Sequence, residues 1–188
     1  MDTYIDVISS LCRYVIGSDQ WDHPAPYVYL EMGVESGQTF NAVAPGFHEA
    51  HAVDIDSSVG ERIKTPDATT CVFHNETTDS FTRRLGLGDL GVYFDAVFID
   101  AWHAFDQVMR DFAGVLPHVR EGGLIFLHDT CPPTPAHVHP HHCNDAYRAP
   151  EAIRDTYPAC ELLTLPPGCG LTIVRKAPAG SKYAARRV

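Results

Sequence analysis

The chain has 188 residues, of which 45% are hydrophobic, and its formal net charge is −10. This length suits a single domain with a sizeable core, and the negative charge argues against nucleic acid as a partner, because phosphate binding needs a basic surface. No apolar run approaches the ~20 residues of a membrane span, and the acidic N-terminus lacks the basic start of a signal peptide, so we expect a cytoplasmic protein that does not bind a membrane.

The first predicted element is an amphipathic helix over residues 3–17, where apolar side chains recur at helical spacing. A polar, proline-containing link follows. We therefore expect residues 1–26 to form a helix and a link ahead of one domain over residues 27–176. The small and charged stretch 177–188 is expected to be a flexible tail.

A strand, a glycine turn and the start of a helix come next. An apolar strand ends in Glu31, and Gly33 and Gly37 then complete the pattern E-x-G-x-x-x-G ahead of a helix over residues 36–44. A dinucleotide-binding fold would prefer G-x-G-x-x-G, with a diphosphate on the helix N-terminus. A carboxylate at the strand end suits a cationic ligand without phosphate better than it suits a pyrophosphate.

A second strand ends in Asp54, with Asp56 two residues later, and completes a βαβ unit typical of nucleoside binding. The unit resembles motif I of the class I S-adenosylmethionine-dependent methyltransferases. The resemblance implies that Glu31, Gly33 and Gly37 line the turn beneath the amino-acid and sulfonium portion of the cofactor. It also implies that Asp54 binds the ribose hydroxyls, with Asp56 as the second choice.

The rest of the chain alternates predicted strands and helices up to a closing pair of strands. The strands are predicted at residues 70–74, 94–100, 124–128, 160–165 and 170–175, and the helices at 79–85, 104–116 and 149–157. Alternation favours a parallel sheet with helices on both faces, to which a closing hairpin adds one antiparallel strand. The methyltransferase fold has this α/β arrangement, a single Rossmann-like domain with a seven-stranded, mostly parallel sheet whose last strand is antiparallel.

A second motif follows the strand predicted over residues 94–100. The segment 98–106 reads FIDAWHAFD, and residues 122–129 read GGLIFLHD. The pair resembles methyltransferase family 24, which includes macrocin O-methyltransferase-like and cephalosporin hydroxylase-like proteins and has F-I-D-G-x-H-x-Y and G-G-x-I-x-x-H-D. The chain departs from this pattern at Ala101 and Phe105, and the resemblance covers about residues 27–130.

The ends of the first, fourth and fifth strands should face one crevice, since ligands bind beyond the carboxyl ends of such strands. The resemblance implies a divalent cation, Mg²⁺, held by Asp100 and Asp129, with Thr130 as a third ligand where relatives place Asn or Asp. The alternative is that Asp129 caps the strand and Asp100 only forms hydrogen bonds. His103 is the predicted catalytic base beside Asp100, and His128 is the second candidate.

Four more side chains are candidates for the cofactor site. Asp79 and Ser80 match the place where family members contact the adenine amino group, although an N-cap explains them equally well. Asp100 belongs to the predicted cofactor site as well as to the catalytic pair. Trp102 either stacks on the adenine, walls the acceptor pocket or packs in the core.

The run over residues 137–143 contains four histidines and a cysteine in a proline-rich stretch. We expect a mobile loop over the acceptor side, with a substrate-contacting lid or an accessory metal site as alternatives. The six cysteines have irregular spacing and no C-x-x-C pair, so a disulfide framework is not expected.

The predicted function is S-adenosylmethionine-dependent O-methylation of a hydroxyl group on a small-molecule acceptor, of the kind found in natural-product biosynthesis and with Mg²⁺ assistance. An NAD-dependent oxidoreductase is the first alternative, and the missing G-x-G-x-x-G counts against it. A catalytically inactive binding subunit with the methyltransferase fold is the second. The short chain leaves the pocket either open to a bulky acceptor or closed by a second subunit of a homo-oligomer.

Overall fold

The computed structural model describes residues 3–16 and 26–178, which form seven β-strands and five α-helices. The strands are β1 (Val28–Met32), β2 (Glu49–Asp54), β3 (Thr70–Asn75), β4 (Phe94–Ile99), β5 (Val119–His128), β6 (Cys160–Leu165) and β7 (Leu171–Lys176). The helices are α1 (Thr3–Ile16), α2 (Gln38–Val43), α3 (Thr78–Leu87), α4 (Phe105–Val115) and α5 (Ala149–Thr156). Most of the predicted link and of the predicted flexible tail lies outside the described residues.

All seven strands belong to one sheet, in the order β3-β2-β1-β4-β5-β7-β6. Only β7, the last strand in the chain, runs antiparallel to its neighbours. The predicted α/β fold, with a mostly parallel sheet and a reversed last strand, is therefore confirmed. Because β1, β4 and β5 are parallel, their carboxyl ends share one edge of the sheet. β1 lies between β2 and β4, which is the position where ligands bind in such sheets.

Helices cover both faces of the sheet, and every residue of β1 and β4 is buried. On one face Phe81, Phe112 and Ile153 of α3, α4 and α5 pack against the sheet. On the other face Ile8 of α1 and Phe40 of α2 do the same. Burial of each such side chain contributes roughly 1.5–3 kcal/mol, which explains why the central strands are apolar almost throughout.

Two of the element boundaries that differ from the predicted ones have local reasons. β5 begins at Val119, five residues before its predicted start, because Gly122 and Gly123 lie inside the strand opposite an irregularity in its pairing with β4. α3 is capped by Thr77, whose hydroxyl accepts a hydrogen bond from the backbone N–H of Ser80 at 3.2 Å. Asp79 therefore lies in the first turn of α3, where its negative charge interacts favourably with the positive end of the helix dipole.

The N-terminal helix α1 reaches the edge of the sheet where ligands are expected. The ring of Tyr4 lies 4.3 Å, centroid to centroid, from the imidazole of His128 at the end of β5. Within residues 3–16 and 26–178, no helix has both the length and the apolar character needed to cross a bilayer.

Candidate active site

A cavity of about 710 Å³ opens at the carboxyl edge of the parallel strands. Five successive strands of the parallel sheet each contribute a lining residue at or just beyond the strand end, namely Gly33, Asp54, Glu76, Asp100 and Asp129. The volume lies in the range of small-molecule and cofactor sites. Four of these five residues are acidic, so the cavity suits a cationic ligand.

The glycine turn after β1 touches the end of β4. Gly33 has a φ of +85°, and a Cβ on it would lie 2.5 Å from the Cα of Ala101 and from the carbonyl oxygen of Asp100. Only glycine permits this approach and this conformation together. Gly37 also has a positive φ, +77°, and precedes α2, but it does not line the cavity.

The structure places Glu31 behind the turn instead of on the cavity surface. The side chain is buried, and its carboxylate accepts hydrogen bonds from the hydroxyl of Tyr29, at 2.7 Å, and from the backbone N–H of Phe40. Burial raises the pKa of Glu31. Glu31 thus joins β1 to α2 and supports the turn from below.

Asp54 lines the cavity and also shapes the glycine turn. One carboxylate oxygen accepts the backbone N–H groups of Val34 and Glu35, both at 2.9 Å, and the other accepts the N–H of Asp56 at 2.9 Å. Three of the roughly four lone-pair positions of a carboxylate are therefore used. Asp56 lies outside the cavity lining, and its carboxylate accepts hydrogen bonds from Ser58, which lower the pKa of Asp56.

Of the two residues predicted at the adenine side, Asp79 and Ser80, the structure places one on the cavity. Asp79 lines the cavity, and its Oδ1 accepts a hydrogen bond from Nε2 of Gln107 at 3.0 Å. Ser80 does not line the cavity, and its hydroxyl donates to Oε2 of Glu76 at 2.6 Å. Sequence reasoning missed Glu76 and Gln107, although Glu76 follows β3 much as Asp54 ends β2.

His103 bridges two carboxylates at the other end of the cavity. Its Nε2 lies 3.2 Å from Oδ1 of Asp100, and its Nδ1 lies 3.0 Å from Oδ2 of Asp129 and 2.7 Å from the carbonyl oxygen of His142. Burial lowers the pKa of His103, but the hydrogen bonds to Asp100 and Asp129 outweigh it and raise the pKa to about 10. Without a cation, these contacts therefore favour the imidazolium form of the ring near neutral pH, whereas a cation bound to a ring nitrogen would take the place of its proton.

His128 extends this group of charges. Its Nδ1 lies 3.1 Å from Oδ1 of Asp100. The pKa of His128 is raised, because its interactions with Asp100 outweigh the opposing effect of burial. Burial raises the pKa of Asp100, but the hydrogen bonds from His103 and His128 reverse the shift and lower it overall.

Thr130, which was predicted as the third metal ligand, does not line the cavity that Asp100 and Asp129 line. Its hydroxyl oxygen accepts a hydrogen bond from the Thr172 hydroxyl at 2.7 Å, on the β7 side. The third side chain beside Asp100 and Asp129 is His103 instead, and one ligand atom from each of the three lies within 4.8 Å of the others. Two carboxylates suit Mg²⁺, and the imidazole makes Mn²⁺ or Fe²⁺ acceptable as well.

Trp102 and the histidine-rich run lie at the mouth of the cavity. Trp102 lines the cavity and is 58% exposed, so it does not pack in the core. The run over residues 137–143 lies against His103, as shown by the hydrogen bond between the ring of His103 and the His142 carbonyl oxygen. Of this run, only Cys143 is buried.

The profile of a family described as "Methyltransferase domain", family 24, matches residues 30–130, which is more than half of the chain. No curated protein matches the sequence significantly. Many solved structures share the fold, and three examples indicate the range.

A protein described as a putative caffeoyl-CoA O-methyltransferase from Staphylococcus aureus has a TM-score of 0.66 and 16% identity, covering 93% of this chain and 83% of that one. The O-methyltransferase TomG of Streptomyces achromogenes, involved in tomaymycin synthesis and bound to S-adenosylmethionine, has a TM-score of 0.61 and 14% identity, covering 94% and 80%. The Podospora anserina methyltransferase PaMTH1, bound to S-adenosylhomocysteine, has a TM-score of 0.63 and 17% identity, covering 90% and 78%.

Identities this low show a shared fold, and the profile match identifies the family, so the resemblance read from the two sequence motifs is confirmed. The profile match also favours a methyltransferase over the NAD-dependent oxidoreductase that was the first alternative. The chain belongs to methyltransferase family 24, a group of the class I S-adenosylmethionine-dependent methyltransferases.

Proposed function

We propose that the protein transfers the methyl group of S-adenosylmethionine to a hydroxyl group of a small molecule. The observation that carries the proposal is that one cavity joins the glycine turn and Asp54 to the group of Asp100, His103 and Asp129. A donor bound at the first end would present its methyl group to an acceptor held at the second. TomG, an O-methyltransferase, is described as bound to S-adenosylmethionine on the same fold.

The donor would occupy the half of the cavity formed by β1, β2 and β3. We assign the close backbone approach to Gly33, a ribose hydroxyl to the unused lone pair of Asp54, and the adenine side to Asp79. Glu31 and Gly37 would act from behind by holding the turn, and Ser80 would act through Glu76. The acidic lining would favour S-adenosylmethionine over its product, because the sulfonium group gives only the former a net positive charge.

The acceptor would occupy the half formed by the ends of β4 and β5. Methyl transfer is an in-line displacement, so the protein must align the acceptor oxygen with the donor and receive the proton of the hydroxyl. We assign orientation to Asp100 and Asp129. Because an imidazolium has no lone pair for a further proton, we propose that a carboxylate oxygen of Asp100 or Asp129, and not the ring of His103, receives the proton of the hydroxyl. A divalent cation held by the two carboxylates would lower the pKa of the acceptor hydroxyl.

Calorimetry and a turnover assay test this proposal in two separate steps. We expect the purified protein to bind S-adenosylhomocysteine and not NAD, and to release S-adenosylhomocysteine when S-adenosylmethionine is incubated with a panel of phenols, catechols and sugar hydroxyls. Absence of binding would overturn the assignment of the cavity. Binding without turnover across the panel would favour the inactive-subunit hypothesis instead.

A further inference from the structure

A second cluster of ligand-type side chains adjoins the candidate active site. Asp129, Cys143 and Cys169 each contribute one ligand atom, and these atoms all lie within 4.8 Å of one another. The Sγ of Cys143 lies 3.5 Å from Oδ1 of Asp129, whereas His103 contacts the other oxygen, Oδ2. Oδ1 also lies 3.6 Å from the Nδ1 of His128, so Asp129 stands between the thiols and the two imidazoles of the active site.

Three separate segments bring these side chains together, namely the end of β5, the histidine-rich run and the turn between β6 and β7. The backbone N–H of Cys131 donates to the carbonyl oxygen of Cys169 at 2.8 Å. A Cβ on Gly170 would overlap the backbone of Cys131, so only glycine allows the β6–β7 turn to pack this closely on the segment after β5. The scaffold is therefore closely packed before any ligand binds.

Two of the three residues also have a left-handed backbone conformation, which is uncommon outside glycine. Asp129 has a φ of +59° and Cys169 a φ of +64°. A left-handed backbone is strained for most residues other than glycine, although Asp tolerates it better, and such residues concentrate at functional sites. Both residues belong to the same cluster of ligand-type side chains.

We propose that Asp129, Cys143 and Cys169 bind a thiophilic divalent cation, Zn²⁺, next to the methyl-transfer site. Two thiolates and one carboxylate, with a water as the fourth ligand, form a tetrahedral set of the kind that Zn²⁺ prefers. Mg²⁺ would not compete, because it takes oxygen ligands. Each thiol would release its proton as its sulfur bonds to the metal.

A disulfide between the two cysteines is the rival use of the same pair. Both cysteines are free in the structure. A disulfide would use the two sulfurs alone, and Oδ1 of Asp129, which lies 3.5 Å from the Sγ of Cys143, would lose the hydrogen bond from that thiol. A bound cation would instead take both sulfurs and a carboxylate oxygen as ligands. The carboxylate beside the two thiols therefore favours a metal.

The proposed cation would link the histidine-rich run to the rest of the fold through Cys143. Because it would bind one oxygen of Asp129, it would also fix the carboxylate that contacts His103. None of the four imidazoles in residues 137–142 is part of the cluster, so the run would contribute its single thiol and not a set of histidines. The proposal does not depend on the identity of the methyl acceptor.

Cobalt titration of the reduced, metal-stripped protein tests the site without any activity measurement. We expect sulfur-to-cobalt charge-transfer absorption and the visible bands of a tetrahedral ion, saturating at one equivalent per chain. Zn²⁺ should abolish these bands, and an excess of Mg²⁺ should leave them unchanged. Saturation without a thiolate band would overturn the proposal.

Matched variants identify the ligands. Cys143→Ser and Cys169→Ser should each lose the charge-transfer band, whereas Cys131→Ser, a neighbouring cysteine outside the cluster, should retain it. Zinc-edge X-ray absorption of the wild-type protein should count two sulfur ligands, which keeps the test independent of how the variants fold. A count of zero, a band that survives in the Cys143→Ser and Cys169→Ser double variant, or a Cys143–Cys169 disulfide in the protein as isolated would each refute the site.

Discussion

Asp54 illustrates how a residue can combine the role expected from its sequence position with a structural one. Its position at the end of β2, in the motif that resembles those of the methyltransferases, implies ribose binding, and the structure places its side chain on the cavity. Its hydrogen bonds to the backbone of Val34 and Glu35 could not be read from the sequence, because they depend on how the glycine turn folds back. The carboxylate of Asp54 therefore stabilises the turn and keeps about one lone pair for a hydrogen bond from the ligand.

The Asp54→Asn variant should weaken binding of S-adenosylhomocysteine roughly 10- to 100-fold. The amide keeps the shape of the side chain, but one of its two ends no longer accepts hydrogen bonds, and loss of a charge-assisted bond costs about 1.5–3 kcal/mol. Titration calorimetry measures the Kd, and thermal unfolding of the free protein reports whether the turn itself is lost. Asp56→Asn is the matched control, since Asp56 lies off the cavity, and a change confined to that control would reassign the ribose contact to Asp56.

Among the elements, β2 and β3 contain a histidine pair that sequence reasoning did not identify. His51 and His74 lie on adjacent strands with their rings 5.2 Å apart, and the Nδ1 of His51 is 2.9 Å from the Nε2 of His74. The strands themselves were predicted from their apolar residues. The pairing was not, because it depends on the register between β2 and β3, which single-sequence patterns do not define.

This pair should make the stability of the fold depend on pH. Burial, together with the neighbouring His51, lowers the pKa of His74 from 6.5 to about 4. The unfolded chain therefore binds a proton at His74 before the folded chain does. Its contribution to stability is complete above about pH 6.5 and declines as the pH falls toward 4, by up to roughly 3 kcal/mol.

Urea unfolding at several pH values between 7 and 4 measures this decline. In His74→Gln the position no longer titrates, so the free energy of unfolding should fall less steeply over the same interval. His139→Gln, at an exposed position of the histidine-rich run, serves as the control and should follow the wild-type curve. Parallel curves for wild type and His74→Gln would contradict the assignment.

At the scale of the whole molecule, the resemblance to the methyltransferase fold allowed us to predict that the ends of β1, β4 and β5 meet at the edge that holds the site. Thr130 shows where that reasoning stops. Its position after Asp129 suggested a ligand, but its hydroxyl pairs with Thr172. That contact joins residues 42 apart and exists only because β7 inserts between β5 and β6.

The cation prediction also belongs to the whole molecule, since β4, the segment after it and the end of β5 must meet to form the group. We expect EDTA to suppress methyl transfer and Mg²⁺ to restore it, because Asp100 and Asp129 would otherwise have the imidazoles of His103 and His128 as their partners and would polarise the acceptor hydroxyl less. Binding of S-adenosylhomocysteine should be unaffected, since the donor half of the cavity lies on β1, β2 and β3.

Because EDTA would also remove a cation from the cysteine cluster, the experiment needs the Cys143→Ser and Cys169→Ser double variant beside the wild type. If Asp100 and Asp129 hold the relevant ion, both proteins lose turnover in chelator and both recover with Mg²⁺ alone. If only the wild type responds, and only to Zn²⁺, the effect of the chelator arises at the thiols. Full turnover of both proteins in EDTA would leave the imidazolium of His103 as the positive charge between the two carboxylates, and the acceptor proton would then have to be received without a metal.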